Sequence, residues 1–262
     1  MKISVICPTY NSEKYIEKTF LSVVKQTRLP DELILVDDGS TDRTIEFLES
    51  QRELLKDKLK IIIITGQHKG PGAARNKGIK AASSDWIAFL DSDDIWEHQK
   101  LEEIEKSISS SGGVNFICHN EIFLRKNGKK KKMEYGKKFQ ENIPLFNQLF
   151  YSNMFSTSAV VCKRSLLIDD GLFDEDLLSA QDYDLWIRLS KKIKPLFLDK
   201  ELGYYIERDG NITSGSLVKR LRNEIKIALK HRAEVQKREL AIRFLRIFAS
   251  YAKQTIFRIF PG

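Results

Sequence analysis

Residues 86–96 read Trp86-Ile87-Ala88-Phe89-Leu90-Asp91-Ser92-Asp93-Asp94-Ile95-Trp96, and this stretch decides the fold. Five apolar residues in succession predict a short strand that is buried on both faces, as in the middle of a parallel sheet. Three carboxylates follow the strand directly. Because ligands of open α/β sheets bind outside the carboxyl ends of the strands, this edge is the expected position of a site.

The acidic cluster after the strand has two interpretations. Crowded carboxylates repel one another unless a cation or a polar ligand offsets their charge. Mg²⁺ and Mn²⁺ favour oxygen ligands and often share them with substrate phosphates. The alternative is a solvated turn whose aspartate caps the helix predicted from Glu97. The stretch alone leaves both open, and the rest of the chain favours the first.

Strand and helix patterns alternate from the first residue. In chain order, the predicted elements are strands at 3–7, 32–36, 61–64 and 86–90 and helices from about Ser12, Thr41, Ala73 and Glu97. The alternation predicts an α/β fold with a Rossmann-like, mostly parallel central sheet, helices on both faces and right-handed crossovers. Each loop at a strand's carboxyl end is rich in Asp, Gly, Ser or Thr, so we expect the polar loops to converge beside the acidic cluster.

The second half of the chain gives weaker signals. Further strands are predicted at 114–123, 157–161, 195–198 and 203–206, and a helix is predicted across 181–189. The run 125–138 carries eight basic residues and the hairpin turn signal Asn127-Gly128, and we interpret it as a solvated loop.

Composition bounds the class of protein. With 262 residues, 42% of them hydrophobic and 31% charged, the chain suits one globular α/β domain with additions, or two small domains. It has neither an apolar signal region at its start nor a run of 18 apolar residues. The three cysteines, Cys7, Cys118 and Cys162, lie far apart in apolar contexts. Together these features predict a cytoplasmic protein with reduced thiols.

The net charge of +8 is concentrated in residues 217–262, which we call the basic tail. The tail holds twelve Lys and Arg against three Glu, and its apolar residues Leu240, Phe244, Ile247, Phe248 and Tyr251 fall at helical spacing. It is predicted to form a basic helical extension. This extension packs back on the domain, forms a homodimer interface, or lies on an anionic membrane surface. A nucleic-acid partner is not expected, because no recognised reader module accompanies the basic residues.

Four segments resemble those of the family 2 glycosyltransferases, which have a GT-A fold. They are Val5-Ile6-Cys7-Pro8-Thr9-Tyr10-Asn11, Val36-Asp37-Asp38-Gly39-Ser40-Thr41-Asp42, Gly70-Pro71-Gly72-Ala73-Ala74-Arg75-Asn76-Lys77-Gly78 and Phe89-Leu90-Asp91-Ser92-Asp93-Asp94. The match is dense to about residue 110, thinner to about 215 and absent in the tail. The resemblance implies a glycosyltransferase domain at 1–216, with a nucleotide-sugar-binding half (1–110) and an acceptor-binding half (111–216).

The resemblance also implies roles for the first loops. Pro8 and Tyr10 would flank the base of the nucleotide, and Tyr10 offers the aromatic face that stacking requires. Asp38 would accept a hydrogen bond from the N–H of the base ring, which favours uracil or thymine. Arg75 would face the nucleotide or its diphosphate. Taken singly, Tyr10, Asp38 and Arg75 are better interpreted as a core aromatic, a turn-forming residue and a surface ion pair, and only the set favours the nucleotide site.

The acidic cluster matches the Asp-any-Asp motif of the fold. By resemblance, Asp93 would bind a divalent metal, Mn²⁺ or Mg²⁺, and Asp91 would bind ribose or a metal-bound water. Many relatives have a His near residues 208–211, where this sequence has Arg208 or Asp209. Either Asp209 is a ligand, or the metal binds only Asp93, diphosphate and water. All four histidines are expected to be structural.

By resemblance, Asp182 near the start of the 181–189 helix would be the general base of an inverting transfer. Gln181 stands where many relatives have Glu, and Asp184 is the rival candidate, with first-turn charge against the helix dipole as its simpler role. We therefore expect transfer of a sugar from a nucleotide diphosphate donor, UDP-linked, to a hydroxyl of a glycan or lipid-linked acceptor in cell-surface polysaccharide synthesis. The alternatives are a nucleotide-sugar-binding protein without turnover and a nucleotidyltransferase.

Overall fold

Strands and helices alternate through the first half of the computed structural model, which describes residues 1–169, 171–177, 179–208 and 217–259. The strands are β1 (Ile3–Thr9), β2 (Glu32–Asp37), β3 (Ile61–Thr65), β4 (Trp86–Phe89), β5 (Ile95–Trp96), β6 (Phe116–Leu124), β7 (Lys130–Met133), β8 (Val160–Lys163) and β9 (Pro195–Ile206). The helices are α1 (Ile16–Val24), α2 (Thr44–Leu55), α3 (Pro71–Ala81), α4 (Lys100–Ser110), α5 (Leu145–Tyr151), α6 (Arg164–Asp169), α7 (Gln181–Leu189), α8 (Leu217–Lys230) and α9 (Lys237–Ile259).

In these ranges the strands form one nine-stranded sheet in the order β3–β2–β1–β4–β8–β6–β9–β5, with β7 paired to β6. β3, β2, β1 and β4 run parallel, so their carboxyl ends lie at one edge. Beyond β4 the sheet is mixed, because β8 is antiparallel to both β4 and β6 while β9 is parallel to β6. The α/β fold with a Rossmann-like sheet is therefore confirmed.

The core forms on both faces of the sheet because successive side chains of a buried strand point in opposite directions. In β1, Ile6 belongs to one apolar cluster, and Val5 and Cys7 belong to the other. Trp186 of α7 is fully buried in the first cluster, with ring centroids 6.4 Å from Phe89 and 5.3 Å from that of Phe116. Aromatic pairs of this kind contribute roughly 0.5–1.5 kcal/mol each beyond the area they bury. They pack α7, and with it Asp182, against β4 and β6.

Helix α3 lies very close to the sheet. A Cβ atom at Gly78 would stand 2.5 Å from Cγ2 of Ile6, so only glycine permits this approach. Because Arg75 is one turn earlier on the same helix, the approach also sets the position of its guanidinium near the end of β4.

Four elements differ from their sequence-based predictions. The strand expected at 157–161 begins only at Val160 as β8, because Thr157–Ala159 form a 3₁₀ turn. The helix expected from Glu97 begins at Lys100, because residues 95–96 first pair with β9 as β5. The two strands expected at 195–206 are one strand, β9, with a register shift opposite β6. The basic run expected to be a loop contains β7, which the Asn127-Gly128 turn folds back on β6 with Gly128 at φ +78°.

The helices of the basic tail pack back on the domain. Ile227 of α8 is buried in the larger core cluster, and Ala228, Ile247 and Tyr251 form a smaller cluster between α8 and α9. Of the alternatives for the tail, the structure therefore shows the packed one. No helix in the described ranges has the length and the apolar composition that crossing a bilayer requires.

Candidate active site

Hydrogen bonds join the loops at the carboxyl ends of the parallel strands. The Asn11 N–H donates to Oγ of Ser40 (2.9 Å), and the Thr41 N–H donates to Oδ1 of Asn11 (2.8 Å). The hydroxyls of Ser12 and Ser92 lie 2.7 Å apart. The loops after β1, β2 and β4 are therefore one connected surface, as the convergence of strand ends predicts.

Asp38 connects the fourth loop, the glycine-rich segment after β3. Its carboxylate accepts the backbone N–H groups of Lys69 (2.9 Å) and Gly70 (2.7 Å), and Nδ1 of His68 lies 2.8 Å from Oδ2. Gly70 has φ +92°, a conformation that suits glycine. Since each carboxylate oxygen can accept two hydrogen bonds, Asp38 keeps acceptor capacity for a ligand.

Tyr10 is 43% exposed and its ring stacks on His68, with centroids 4.0 Å apart and an interplanar angle of 21°. It is therefore not a core aromatic. Pro8 lies in the buried part of β1, in register with Val36 of β2. His68 was expected to be structural with the other histidines, and the structure places it instead at the site. Its position after β3 was the available signal, because that loop ends at the shared edge.

Arg75 is buried, and its Nη2 donates to Oδ1 of Asp91 at 2.5 Å. Its guanidinium also lies over the ring of Phe173, 5.4 Å from the centroid. Within the described part of the chain, its buried Nε–H has no hydrogen-bond partner. The surface-pair interpretation is thus excluded, and one buried donor remains for an anionic ligand.

Asp93 forms an ion pair with Arg208, whose guanidinium lies 5.0 Å from the ring centroid of Tyr15. Burial and the charge of Asp91 raise the pKa of Asp93, and Arg208 opposes this shift. The carboxylates at this loop are therefore held close together and need positive charge.

Ser158 fixes the acidic loop from beneath. Its hydroxyl donates to Oδ2 of Asp94 (2.6 Å) and accepts the N–H of Asp91 (3.0 Å). Its backbone carbonyl accepts hydrogen bonds from Nζ of the buried Lys100 (2.7 Å) and from Nε1 of Trp96 (3.2 Å). The carboxylate of Asp94 is therefore engaged in structural hydrogen bonding, which leaves Asp91 and Asp93 facing the site. Sequence reasoning missed this hub, because Ser158 and Lys100 belong to elements distant along the chain.

Asp182 lies in the first turn of α7, half-buried beside the ion pair of Arg75 and Asp91. Nδ2 of Asn153 donates to its Oδ2 at 3.3 Å. Burial raises the pKa of Asp182, the charge of Asp91 adds to the shift, and that of Arg75 opposes it. A carboxylate with a raised pKa at the edge of a charged site is suited to general-base chemistry.

The start of α7 is built tightly against the glycine-rich loop. A Cβ atom at Gly72 would stand 3.3 Å from Cδ of Gln181, whose Nε2 donates to the carbonyl of Leu177 (2.6 Å). Ala180, which precedes the helix, has φ +58°, a left-handed conformation that costs free energy for a residue with a Cβ. The buried Gln181 side chain therefore packs between the glycine-rich loop and the segment that precedes α7.

Asp184 lies on the other side of α7 and is fully buried. Its carboxylate is contacted by Nε of Arg188 (2.9 Å), Nζ of Lys230 (3.0 Å) and Nε2 of His231 (3.3 Å). The last two residues come from the end of α8 and its continuation, so Asp184 anchors the tail. It is not placed for catalysis.

The residues at the acidic loop are compatible with a divalent cation. Among the described residues, no group of three or more His, Cys, Asp and Glu is arranged to hold a metal ion. Asp209, the suggested additional ligand, lies outside these residues. A hard cation can nevertheless bind through one or two carboxylates together with substrate phosphates, and Asp91 and Asp93 supply such oxygens.

Residues 4–177 match the family model described as "Glycosyl transferase family 2". The chain is 34% identical over 209 residues to an uncharacterized glycosyltransferase of Rickettsia conorii. The alignment covers 77% of this chain and 32% of that protein. It is 33% identical over 193 residues to the UDP-Glc:alpha-D-GlcNAc-diphosphoundecaprenol beta-1,3-glucosyltransferase WfgD of Escherichia coli, which covers 72% of this chain and 70% of that protein.

A solved structure of Staphylococcus aureus TarS, residues 1–349 in complex with UDP-GlcNAc, superposes with a TM-score of 0.76 and 27% identity. The likeness covers 100% of this chain and 76% of that chain, and it confirms the expected GT-A fold. TarS is named as a poly(ribitol-phosphate) beta-N-acetylglucosaminyltransferase, and its full sequence is 31% identical over 227 residues. The chain spans 32% of the Rickettsia protein and 38% of TarS, little more than a third of either.

Proposed function

The chain belongs to glycosyl transferase family 2, and from that membership we propose that it is an inverting glycosyltransferase. It transfers a sugar from a UDP-sugar to a hydroxyl of a glycan or lipid-linked acceptor in the synthesis of a cell-surface polysaccharide. The observation that carries the proposal is the placement of Asp182 beside the Arg75–Asp91 ion pair, at the edge where the polar loops meet.

UDP is the nucleotide we propose, in line with the UDP-GlcNAc bound to TarS and the UDP-Glc in the name of WfgD. Tyr10 and Pro8 flank the uracil, and Asp38 accepts its ring N–H with the acceptor capacity that the loop leaves. Arg75 faces the diphosphate with its Nε–H, which has no hydrogen-bond partner among the residues that the structure describes, and its permanent positive charge offsets the anionic charge.

In the proposed reaction, the acceptor hydroxyl attacks the anomeric carbon from the face opposite the diphosphate. The new C–O bond forms as the bond to the phosphate oxygen breaks, and the electron pair of that bond leaves with UDP. Asp182 takes the hydroxyl proton, and its raised pKa brings its basicity closer to neutral pH, where general-base catalysis is most effective. Arg75 stabilises the negative charge that develops on the leaving group.

We further propose that Asp93 holds a divalent cation, Mn²⁺ or Mg²⁺, with Asp91 on the ribose or on a metal-bound water. When bound, such a cation supplies positive charge to the departing diphosphate. Arg208 pairs with Oδ2 of Asp93 in this structure, so the guanidinium and a metal would share or contest the same carboxylate. Arg208 is thereby the residue that competes with the cation.

A panel of nucleotide sugars, assayed for donor hydrolysis, tests the proposed function, together with calorimetric titration of UDP with and without Mn²⁺. We expect UDP to bind and one UDP-sugar to be hydrolysed. UDP binding without transfer to any hydroxyl would support the nucleotide-sugar-binding alternative. Pyrophosphate release from UTP and a sugar phosphate would instead support a nucleotidyltransferase.

Replacing Asp93 with Asn is expected to remove the gain in UDP affinity that Mn²⁺ gives, at least about tenfold, because a metal-binding carboxylate is lost. Titrating UDP into both proteins with and without Mn²⁺ measures the effect. Asp57→Asn, at an exposed carboxylate outside the site, is the matched control. An Mn²⁺ effect that persists in the Asp93 variant would contradict the metal assignment.

We propose that the tail also rests on an anionic membrane surface, at the cytoplasmic face. Support comes from the outer face of α9, where Leu245 is 70% and Phe248 53% exposed in a basic segment.

The full chain is expected to float with vesicles containing phosphatidylglycerol, and Leu245→Glu with Phe248→Glu is expected to abolish flotation. Leu54→Glu, at an exposed position on α2, is the control. A double variant that still floats would contradict this proposal. If the parent is instead a dimer that the double substitution dissociates, the exposed face of α9 is a homodimer interface.

A further inference from the structure

A cleft of about 520 Å³ opens beside Asp182, and the tail helices form much of its wall. It lies between the end of α5, the start of α7 and the facing sides of α8 and α9. Its volume is within the roughly 300–1,000 Å³ of small-molecule sites. The residues assigned to the nucleotide, Tyr10, Asp38 and Arg75, do not line it. The cleft therefore reaches Asp182 from a different side than the donor does.

The cleft wall contains three arginines, Arg220, Arg243 and Arg246, against the carboxylates of Asp182 and Glu224. Glu224 is engaged within the wall. It faces Nη2 of Arg243 at 3.4 Å and accepts the hydroxyl of Tyr251 at 3.0 Å. Apart from Glu224 and its partner Arg243, the charged side chains that line the cleft with Asp182 are the cations Arg220 and Arg246.

Arg243 and Arg246 differ in their surroundings although both come from α9. Arg243 is buried, lies over the ring of Tyr183 (5.3 Å) and donates to the backbone carbonyl of Tyr151. Arg246 is exposed, and its guanidinium lies 4.7 Å from the ring centroid of Tyr151. Of the carboxylates in the described ranges, none forms an ion pair with Arg246. Its planar guanidinium is thus held over an aromatic ring, and no carboxylate of the described residues takes up its N–H donors.

We propose that this cleft binds the acceptor and that Arg246 recognises a phosphate group of it, with the acceptor hydroxyl presented to Asp182. The inference rests on the proposed function and assigns the acceptor class. A guanidinium binds a phosphate through paired, charge-assisted hydrogen bonds, which fix orientation as well as affinity. The phosphate belongs either to a polyol-phosphate polymer or to a glycosyl diphosphate lipid, since both carry it close to free hydroxyls.

Calorimetric titration of the full chain separates these sources with two pairs of probes. Ribitol 5-phosphate is compared with ribitol, and N-acetylglucosamine 1-phosphate is compared with N-acetylglucosamine. We expect the phosphorylated member of one pair to bind at least about tenfold more tightly than its neutral parent. Its affinity should fall at high salt because the contact is partly exposed. The pair that shows the difference identifies the source.

The variants Arg246→Gln, Arg246→Lys and Arg238→Gln then assign the contact. Arg246→Gln should weaken the phosphorylated probe about tenfold, Arg246→Lys should retain part of the affinity, and Arg238→Gln, at an exposed arginine of α9 outside the cleft, should behave as the parent. Equal binding of phosphorylated and neutral probes, or an Arg246→Gln variant with undiminished affinity, would overturn the inference. Titration of UDP into the same proteins reports the donor site, so a failure of the proposed function is seen separately.

Discussion

Asp182→Asn is expected to lower the rate of sugar transfer about 10²–10⁴-fold, while the affinity for UDP and the melting temperature stay close to those of the parent. The amide has nearly the same shape as the carboxylate, but it does not accept a proton from the attacking hydroxyl. Asp182 is half-buried, and among the described residues one side chain, Asn153, donates a hydrogen bond to it, at 3.3 Å. Little structure therefore depends on its charge.

Initial rates, UDP titration and thermal unfolding of the parent and variant measure these three quantities. In the parent, kcat/KM should rise with pH through a pKa above the ordinary aspartate range, because burial raises the pKa of Asp182 and only its deprotonated form is a base. The residual rate of the variant should lack this dependence. Undiminished turnover by Asp182→Asn would remove Asp182 as the base.

Asp184→Asn is expected to have the opposite profile, a large loss of stability. Asp184 is fully buried and faces Arg188, Lys230 and His231 within 2.9–3.3 Å. Removing one partner of a buried charge cluster leaves the remaining charges uncompensated, which costs about 3–5 kcal/mol of unfolding free energy. For a domain of this size the melting temperature should fall by roughly 10 °C.

Urea unfolding measures the loss, and Asp169→Asn, at an exposed carboxylate on α6, is the matched control. Because α8 is held by this cluster, the variant should also lose the tail contacts before the central sheet unfolds, which hydrogen exchange would detect. An unfolding free energy equal to that of the control would show that the cluster does not anchor the tail.

The same carboxylate predicts a pH dependence of stability. Burial alone would raise the pKa of Asp184, but hydrogen bonds from His231, Lys230 and Arg188 outweigh it and hold the pKa well below its usual range. A depressed pKa stabilises the folded state above the pKa of an unfolded aspartate, about 3.9, and this stabilisation is lost as the pH falls towards the folded value. Between about pH 5 and 2, the stability of Asp184→Asn should therefore fall less steeply than that of the parent.

The sequence alone determined the first four strands, the polar loops after them and the edge at which they meet. These follow from local rules, because buried parallel strands need continuous apolar runs and their carboxyl ends must share one edge. The resemblance to family 2 glycosyltransferases then pointed to Tyr10, Asp38, Arg75 and Asp93 as candidate site residues, and the structure brings their loops together through hydrogen bonds and ion pairs.

Only the tertiary structure distinguished the surroundings of Asp182 and Asp184, on which our proposal of Asp182 as the base depends. Both lie in the first turn of α7 with the same local signal, but residues two apart on a helix point to opposite sides. Asp182 accepts a hydrogen bond from Asn153 and feels the positive charge of Arg75, whereas Asp184 pairs with Lys230 at the end of α8. The pairing of Arg208 with Asp93 and the cleft formed by the tail were equally hidden. Each joins elements that are far apart along the chain. Periodicity and spacing describe only local structure, so they do not predict which distant side chains come into contact.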